Sequence, residues 1–227
     1  MAKIDKRSAE REANIAEAIS KTEDFFEANK KRILYGFLAL AALVAIILGW
    51  YYLIKVPNKK EAINQLFTAE RYFRTDSFNI ALNGDGNTLG FKQIIDKYGS
   101  NTPESAYFNA GVCELRLGNN EQAIKYLNKY SSKDNIMAAR AKALIGDALV
   151  NKGDIKQAVP YFEEAAKKSN NVLSAGYLFK AALCYEELEQ PKQALDIYNK
   201  VKDLYPDAPE ASEIDKYIAR IEAQMAN

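Results

Sequence analysis

Few residues in this sequence are equipped for chemistry. The two cysteines, Cys113 and Cys184, are too few for a four-ligand zinc site and too far apart for a CxxC motif. The sequence has no histidine, which removes the usual general base and the commonest metal ligand. The glycine patterns that bind nucleotide phosphates are also missing. We therefore predict no enzyme activity, and no catalytic residue, metal, cofactor or small-molecule substrate.

Acidic residues could form a catalytic carboxylate pair or a calcium-binding loop, but their spacing supports neither. The pairs Glu163-Glu164 and Glu186-Glu187 fall in helical patterns, as solvated charge. The oxygen-rich run 83–87 invites comparison with a calcium loop, but Thr88 and Ile94 occupy the positions where that loop needs glycine and glutamate. We favour a glycine-asparagine turn there. The chain has 31 basic and 30 acidic residues, and residues 55–227 contain 23 of each without a basic stripe, which argues against nucleic-acid binding.

The charge-free segment 33–54 predicts one transmembrane helix. Its length is about 33 Å at 1.5 Å per residue, which matches one hydrocarbon core, and Trp50 and Tyr51 suit an interfacial belt. A cleaved signal peptide fits poorly, because the preceding tail is long and charged and no small-x-small site follows. We therefore expect an uncleaved anchor that contacts membrane lipid. Its small-residue face for helix packing in lipid is formed by Gly36, Ala39 and Ala42.

The residues beside this span leave its orientation open. Three basic residues precede it and three follow it closely, so the positive-inside rule gives a tie. The tail, residues 1–32, is charged and predicted to be an amphipathic helix, which either lies on a membrane or partner surface or is simply solvated. Its apolar stripe is formed by Ile15, Ala18, Ile19, Thr22 and Phe26.

The rest of the chain shows internal repeats with a period of about 35 residues. Each repeat has a small residue in a first segment, then an alanine in a second segment, followed four positions later by a large apolar residue. This pattern is typical of paired antiparallel helices that approach closely at the small residues, and Gly118 and Gly153 suit the turns between them. In order, the three sets are Gly111, Ala123 and Leu127; Gly146, Ala158 and Phe162; Ala182, Ala194 and Tyr198.

The pattern resembles the tetratricopeptide repeat family, with three repeats in residues 104–208. The resemblance implies an all-α fold: one N-terminal transmembrane helix followed by a helical solenoid. A linker helix and a degenerate first repeat are predicted in residues 55–103, with an inserted loop at 75–89, and a capping helix is predicted in 209–227. Cys113 and Cys184 occupy equivalent positions two repeats apart, about 20 Å, so we expect both to be buried and unpaired.

In this family the first helix of each repeat lines a concave face. Transferring the family's inward positions predicts a largely apolar protein-binding groove, which suits an amphipathic helix or an extended apolar segment. Only Asn109 and Arg140 resemble the polar clamp that holds C-terminal carboxylates in some members, so we reject that mode. The alternative is that the same side chains pack in the repeat core or against the chain's own linker. The groove residues are Phe108, Val112, Leu115, Ala143, Asp147, Val150, Phe179, Leu183 and Glu186.

The order of parts, a charged tail, one span and a short repeat array, is similar to the YfgM-like family of bacterial inner-membrane proteins. This resemblance implies a cytoplasmic N-terminus and a periplasmic repeat domain. It also implies an ancillary subunit of the Sec translocon that links it to a membrane-anchored periplasmic chaperone of the prolyl-isomerase type, or that contacts translocating chains. The alternative is a membrane-tethered scaffold for another envelope complex, such as a protease or a secretion or cell-envelope assembly machine.

Overall fold

The chain is helical throughout the part that the structure describes. The structure is a computed structural model that describes residues 2–226, leaving out the side chains of residues 2–10, 12–16, 18, 19, 22 and 24. Within 2–226 it contains no strand, and the all-α prediction is confirmed. The chain divides into two compact units, Met1–Pro57 and Asn58–Asn227.

The first unit consists mainly of helix α1, Ala2–Trp50. The apolar side chains of its second half are exposed, with Ile46 71% accessible. By length and composition, one helix of the described chain is apolar enough to cross a membrane. The amphipathic stripe predicted for the tail stays a prediction, because the side chains of Ile15, Ala18, Ile19 and Thr22 lie outside the described residues.

A π-helical turn, Tyr51–Lys55, follows α1. Its wider geometry is visible in the bond from the backbone N–H of Val56 to the carbonyl of Tyr51, five residues back. Pro57 explains the widening, because proline has no N–H to donate and its ring would collide with the carbonyl four residues earlier. The predicted transmembrane helix, residues 33–54, ends within this π-turn, which the sequence pattern did not indicate.

The second unit contains helices that pack in sequence order. Three of its helix pairs, α5/α6, α7/α8 and α9/α10, are joined by short turns, and α11 packs on α10. The helices of this unit, counting α2 although it starts two residues earlier, are α2 Val56–Arg74, α3 Phe78–Asn83, α4 Phe91–Tyr98, α5 Glu104–Arg116, α6 Asn120–Lys129, α7 Asn135–Asn151, α8 Ile155–Ser169, α9 Leu173–Glu187, α10 Pro191–Leu204 and α11 Ile214–Met225.

The small residues of the repeats are where the paired helices come closest. A Cβ built on Gly111 would lie 2.6 Å from Leu127 Cγ, and one on Gly146 would lie 2.7 Å from Phe162 Cε1. Only a residue without a side chain fits under these large apolar groups, so the sequence register corresponds to direct contact between the two helices of a repeat. In the third repeat the equivalent small residue at the contact between the helices is Ala182, which is fully buried.

The turns inside the repeats are left-handed at equivalent positions. Gly118 and Gly153 both have φ of 81°, and Glu189 takes the same place in the third repeat with φ of 57°. Glycine adopts this conformation without a steric cost, whereas Glu189 must be held there by the hydrogen bonds of the surrounding turn. The predicted inter-helix turns are therefore present in all three repeats.

The segment predicted as an inserted loop, 75–89, contains the short helix α3 and is tightly organised. Asp85 accepts hydrogen bonds from Tyr72 Oη at 2.8 Å, from the backbone N–H groups of Asn87 and Thr88, and from Thr88 Oγ1. These bonds, chiefly the one from Tyr72, hold the pKa of the Asp85 carboxyl well below its ordinary value. The loop prediction is corrected in part: six residues of the segment are helical, and the rest is a turn built around one carboxylate.

The C-terminal end of the solenoid is closed by α11, which follows a 3₁₀ turn, Pro209–Glu213. Its apolar stripe packs inward, with Ile214 and Ile221 each 1% exposed. Glu186 on α9 holds α11 in position. Both of its carboxylate oxygens accept a hydrogen bond from Arg220 Nη2 at 2.7 Å. Its Oε1 also accepts a hydrogen bond from the buried Tyr198 hydroxyl. Burial and this bond raise the pKa of Tyr198, so its hydroxyl remains a neutral donor.

Candidate protein-binding site

The predicted groove residues of the first helices do not share one environment. Phe108, on α5, is 6% exposed and packs in the core beside Tyr130, with their ring centroids 5.1 Å apart. The guanidinium of Arg140 lies 5.9 Å from the centre of the same ring. Phe108 is therefore corrected from a partner contact to a core residue, because the next repeat covers the side of α5 on which it lies. Ala143, its equivalent on α7, is 4% exposed and buried for the same reason.

Phe179, on α9, is half-buried beneath the capping helix. Its ring packs edge-to-face on Tyr217 of α11 at 4.9 Å and against Tyr198 of α10 at 5.7 Å. Glu186, one of the predicted acidic groove residues, is likewise engaged with Tyr198 and Arg220. These two positions fasten α11 to the solenoid, and Phe179 presents only its remaining edge to a partner.

Asp147, on α7, is paired rather than free. Both of its carboxylate oxygens accept hydrogen bonds from Lys180 Nζ on α9, at 2.7 and 2.8 Å, and the same ammonium lies 5.7 Å from the centre of the Phe162 ring. Both side chains are partly exposed, so the pair adds little stability but joins the first helices of two neighbouring repeats. The acidic character predicted for the groove is cancelled here by Lys180, which the sequence reasoning did not include.

Three of the apolar side chains that remain accessible lie on α9 and in the turn before it. Leu183 is 40% exposed, and Val172 and Leu173 are 49% and 48% exposed. Val112, Leu115 and Val150 are half-buried.

A recess of about 490 Å³ lies beside these exposed residues, at the start of α9. It is bounded on one side by the 3₁₀ turn before α11, whose Glu210 carboxylate lies over Gly176. The adjacent apolar residues Val172 and Leu173, at the start of α9, were the available sequence signal for this recess, but the repeat pattern does not indicate whether such residues are exposed. The lining residues are Val172, Leu173, Gly176, Tyr177, Phe179, Lys180, Pro209 and Glu210.

The two cysteines are unreactive core residues. Cys113 and Cys184 are free and buried. Burial raises the pKa of the Cys113 thiol to about 12 and that of Cys184 to about 11, so neither forms the nucleophilic thiolate at neutral pH. Among the described residues, no group of three or more cysteine or carboxylate side chains is placed to hold a metal ion.

The small residues predicted to pack in lipid, Gly36, Ala39 and Ala42, are all exposed on α1. A Cβ on Gly36 would have no neighbour within 4 Å. Their packing role stays a prediction.

Comparison with known proteins agrees with this architecture. Residues 105–134 and 144–209 each match a tetratricopeptide repeat model. No curated protein matches the sequence. Among solved structures, the apo form of RapI superposes with a TM-score of 0.60 at 15% identity, covering 74% of this chain and 65% of RapI.

Two further solved structures share the fold. YrrB, described as a TPR protein with an unusual peptide-binding site, has a TM-score of 0.55 at 18% identity, covering 80% of this chain and 88% of YrrB. Residues 41 to the end of MamA from Desulfovibrio magneticus RS-1 give a TM-score of 0.52 at 18% identity, covering 75% of this chain and 98% of that one. Residues 105–209 thus have the tetratricopeptide-repeat fold, and the prediction of an all-α repeat solenoid is confirmed.

Proposed function

We propose that this protein is a membrane-anchored adaptor that binds a protein partner through the α9 end of its concave face. Tetratricopeptide solenoids are scaffolds for protein interactions, and stacked helix pairs build extended concave binding surfaces. The observation that carries the proposal is the exposure of Leu173, which lines the recess, and of Leu183, which lies one helical turn beyond the lining residue Phe179 on α9. Leucine side chains exposed next to a recess bury apolar area when a partner fills it.

The proposed ligand is an apolar polypeptide segment. The recess offers Val172, Leu173 and the edge of Phe179 to apolar side chains, while Lys180 and Glu210 at its margin can meet polar groups of the partner's backbone or flanks. The peptide-binding site named for YrrB supports a similar use of this solenoid. This revised groove replaces Phe108 with Leu173 and Val172 and keeps Val112, Leu115 and Leu183.

The anchor, compartment and partner are part of the same proposal. The long apolar stretch of α1 supports a single membrane span. The order of tail, span and repeats supports an inner-membrane protein with a cytoplasmic N-terminus and periplasmic repeats, ancillary to the Sec translocon. The partners proposed on that basis are translocon subunits and a membrane-anchored periplasmic chaperone of the prolyl-isomerase type.

Site-specific photo-crosslinking tests the binding face in the full chain. A photoreactive residue at Leu183 is expected to crosslink to a partner. Leu183→Asp is expected to reduce co-purification of that partner in mild detergent at least tenfold, because a charge would be buried against an apolar segment. Ile80→Asp is the matched control, since Ile80 is 37% exposed, close to the 40% of Leu183, and lies on α3, outside the recess. Equal loss in both variants, or in neither, would contradict the assignment of the face.

Two further measurements test the proposed partners and the proposed membrane orientation. Mass spectrometry of the purified complex should find translocon subunits and the chaperone; recovery of a protease or secretion complex instead would favour the alternative scaffold. In spheroplasts, an added protease should digest the repeats. Protection of the repeats would rule out the periplasmic orientation.

A further inference from the structure

Helix α2 has two apolar faces, and only one of them is used by the fold. Ala62, Leu66 and Ala69 are at most 4% exposed and pack into the core formed with α3, α4 and α5. On another side of the same helix, Ile63 is 51% exposed and Phe67 is 69% exposed. Large apolar side chains this exposed on an otherwise well-packed helix call for a second surface to cover them.

The residues around Ile63 and Phe67 are basic. With about 100° of rotation per residue, Lys60, Arg71 and Arg74 fall within the same sector of α2, about 80° wide, as the two apolar side chains. All three basic residues are exposed. We call these five residues, Lys60, Ile63, Phe67, Arg71 and Arg74, the basic-apolar face of α2.

Acidic residues are kept off this face. Glu61 lies on a different side of α2 by the same helical rotation. Glu70 borders the face, and its carboxylate is within 3.8 Å of Arg74 Nη2, so its charge is partly neutralised. The face therefore presents net positive charge around an apolar centre.

We propose that the basic-apolar face of α2 binds the anionic headgroup surface of the membrane. An exposed helical face that combines large apolar side chains with Lys and Arg is the composition of helices that lie in a membrane interface. Each basic residue near an anionic surface adds to the attraction. A protein partner selected by this face would need a matching acidic rim, whereas an anionic bilayer supplies negative charge at every contact.

The position of α2 in the chain supports the bilayer as the occupant. The inference rests on the proposed anchor, because α2 begins at Val56, directly after the apolar stretch. At 1.5 Å per residue, Lys60 is only about 9 Å of helix beyond residue 54, whereas Phe67 is about 20 Å beyond it. The headgroup layer is about 5–8 Å thick, so Phe67 contacts lipid only when α2 lies along the surface. The depth of residue 67 is thus the quantity to measure.

A fluorescent label on Phe67→Cys in the full-length chain reports that depth. The native cysteines are buried with raised pKa values, so labelling is directed to residue 67. The chain is reconstituted into phosphatidylcholine vesicles and into phosphatidylcholine mixed with phosphatidylglycerol. In the anionic vesicles we expect a blue-shifted emission and a several-fold fall in quenching by a water-soluble quencher, both reversed by high salt.

Two variants sharpen the result. Lys60→Gln should reduce the ratio of lipid-bound to lipid-free label about fivefold in anionic vesicles, because one of the basic residues is removed. A label on Glu61→Cys, on another side of the same helix, should remain accessible to the quencher in both kinds of vesicle.

The outcomes separate this inference from the proposed anchor. If the chain floats with both kinds of vesicle but residue 67 stays accessible in both, the anchor stands and the lipid-binding face is overturned. If residue 67 is shielded equally in neutral and anionic vesicles, the shielding does not depend on lipid charge, and recognition of an anionic surface is overturned. If the chain floats with neither, both proposals fail.

Discussion

At the residue scale, two glycines in first helices show how local packing decides the effect of the same substitution. Gly146 lies under the ring of Phe162, whereas Gly176 lies under the flexible carboxylate of Glu210. Both are inside helices, where alanine is intrinsically favoured over glycine by up to about 1 kcal/mol. Their neighbours therefore determine whether that gain is realised.

We expect Gly146→Ala to destabilise the solenoid by about 1–3 kcal/mol. The new methyl group would lie 2.7 Å from a buried ring that has no space to move, which overpacks the contact between α7 and α8. The measurement is the urea midpoint of the detergent-solubilised chain, followed by circular dichroism. Gly176→Ala is the matched control and should be neutral or stabilising, because the Glu210 side chain can swing away. A loss of equal size in both variants would contradict this packing argument.

The same residues show what the sequence could and could not predict. The spacing of Gly111, Gly146 and Ala182 predicted the helix pairs, because a small residue facing a large one is a requirement that each repeat meets by itself. Phe108 was misplaced, because one helix's pattern does not show whether the next repeat covers its side. Lys180 was missed as the partner of Asp147, since the two residues meet only after neighbouring repeats stack.

At the element scale, short irregular segments escaped the periodic pattern. Helix α3 has six residues, too few for a 3.6-residue period to be recognised. The π-turn at Tyr51–Lys55 results from a single proline that follows it. The turn around Asp85 is specified by one carboxylate and the Tyr72 hydroxyl. Such features depend on individual side chains, whereas the long helices depend on a repeated pattern.

The turn at Asp85 should make the stability of the chain depend on pH. The folded-state pKa of Asp85 is lowered, so its contribution is fully present above the unfolded pKa of about 4 and is lost as the pH falls below it. Asp85→Asn is therefore expected to lower the urea midpoint at pH 7, and the difference from the wild type should shrink at pH values below about 4. The measurement is the pair of urea midpoints at neutral and acidic pH.

Asp76 provides the control for this pH dependence. It lies in the same segment with φ of 54°, a conformation that asparagine tolerates, and its carboxylate makes no hydrogen bond within residues 2–226. Asp76→Asn should leave the urea midpoint nearly unchanged at both pH values. A pH-independent difference for Asp85→Asn would mean that the carboxylate charge does not hold the turn.

At the scale of the whole molecule, the proposed anchor changes what a modest binding face can achieve. The accessible part of the concave face is small, since Phe108 is in the core and Phe179 is mostly covered by α11. A face of this kind gives weak binding by itself. Confinement to the same bilayer as a partner raises the effective concentration and converts weak contacts into stable association. The span is therefore expected to contribute to partner choice as well as to attachment.

The small-residue face of the span gives this expectation a direct test. We predict that replacing Gly36, Ala39 and Ala42 together by leucine lowers recovery of membrane-embedded partners roughly threefold to thirtyfold, because the larger side chains prevent close helix approach in lipid. The chain itself should remain in the membrane, since leucine preserves the apolar span. The measurement is quantitative mass spectrometry after mild-detergent purification. Ala41→Leu makes the same kind of change at least about 100° around α1 from these three residues and should retain the complex. Full retention by the triple variant as well would assign partner binding to the repeats alone.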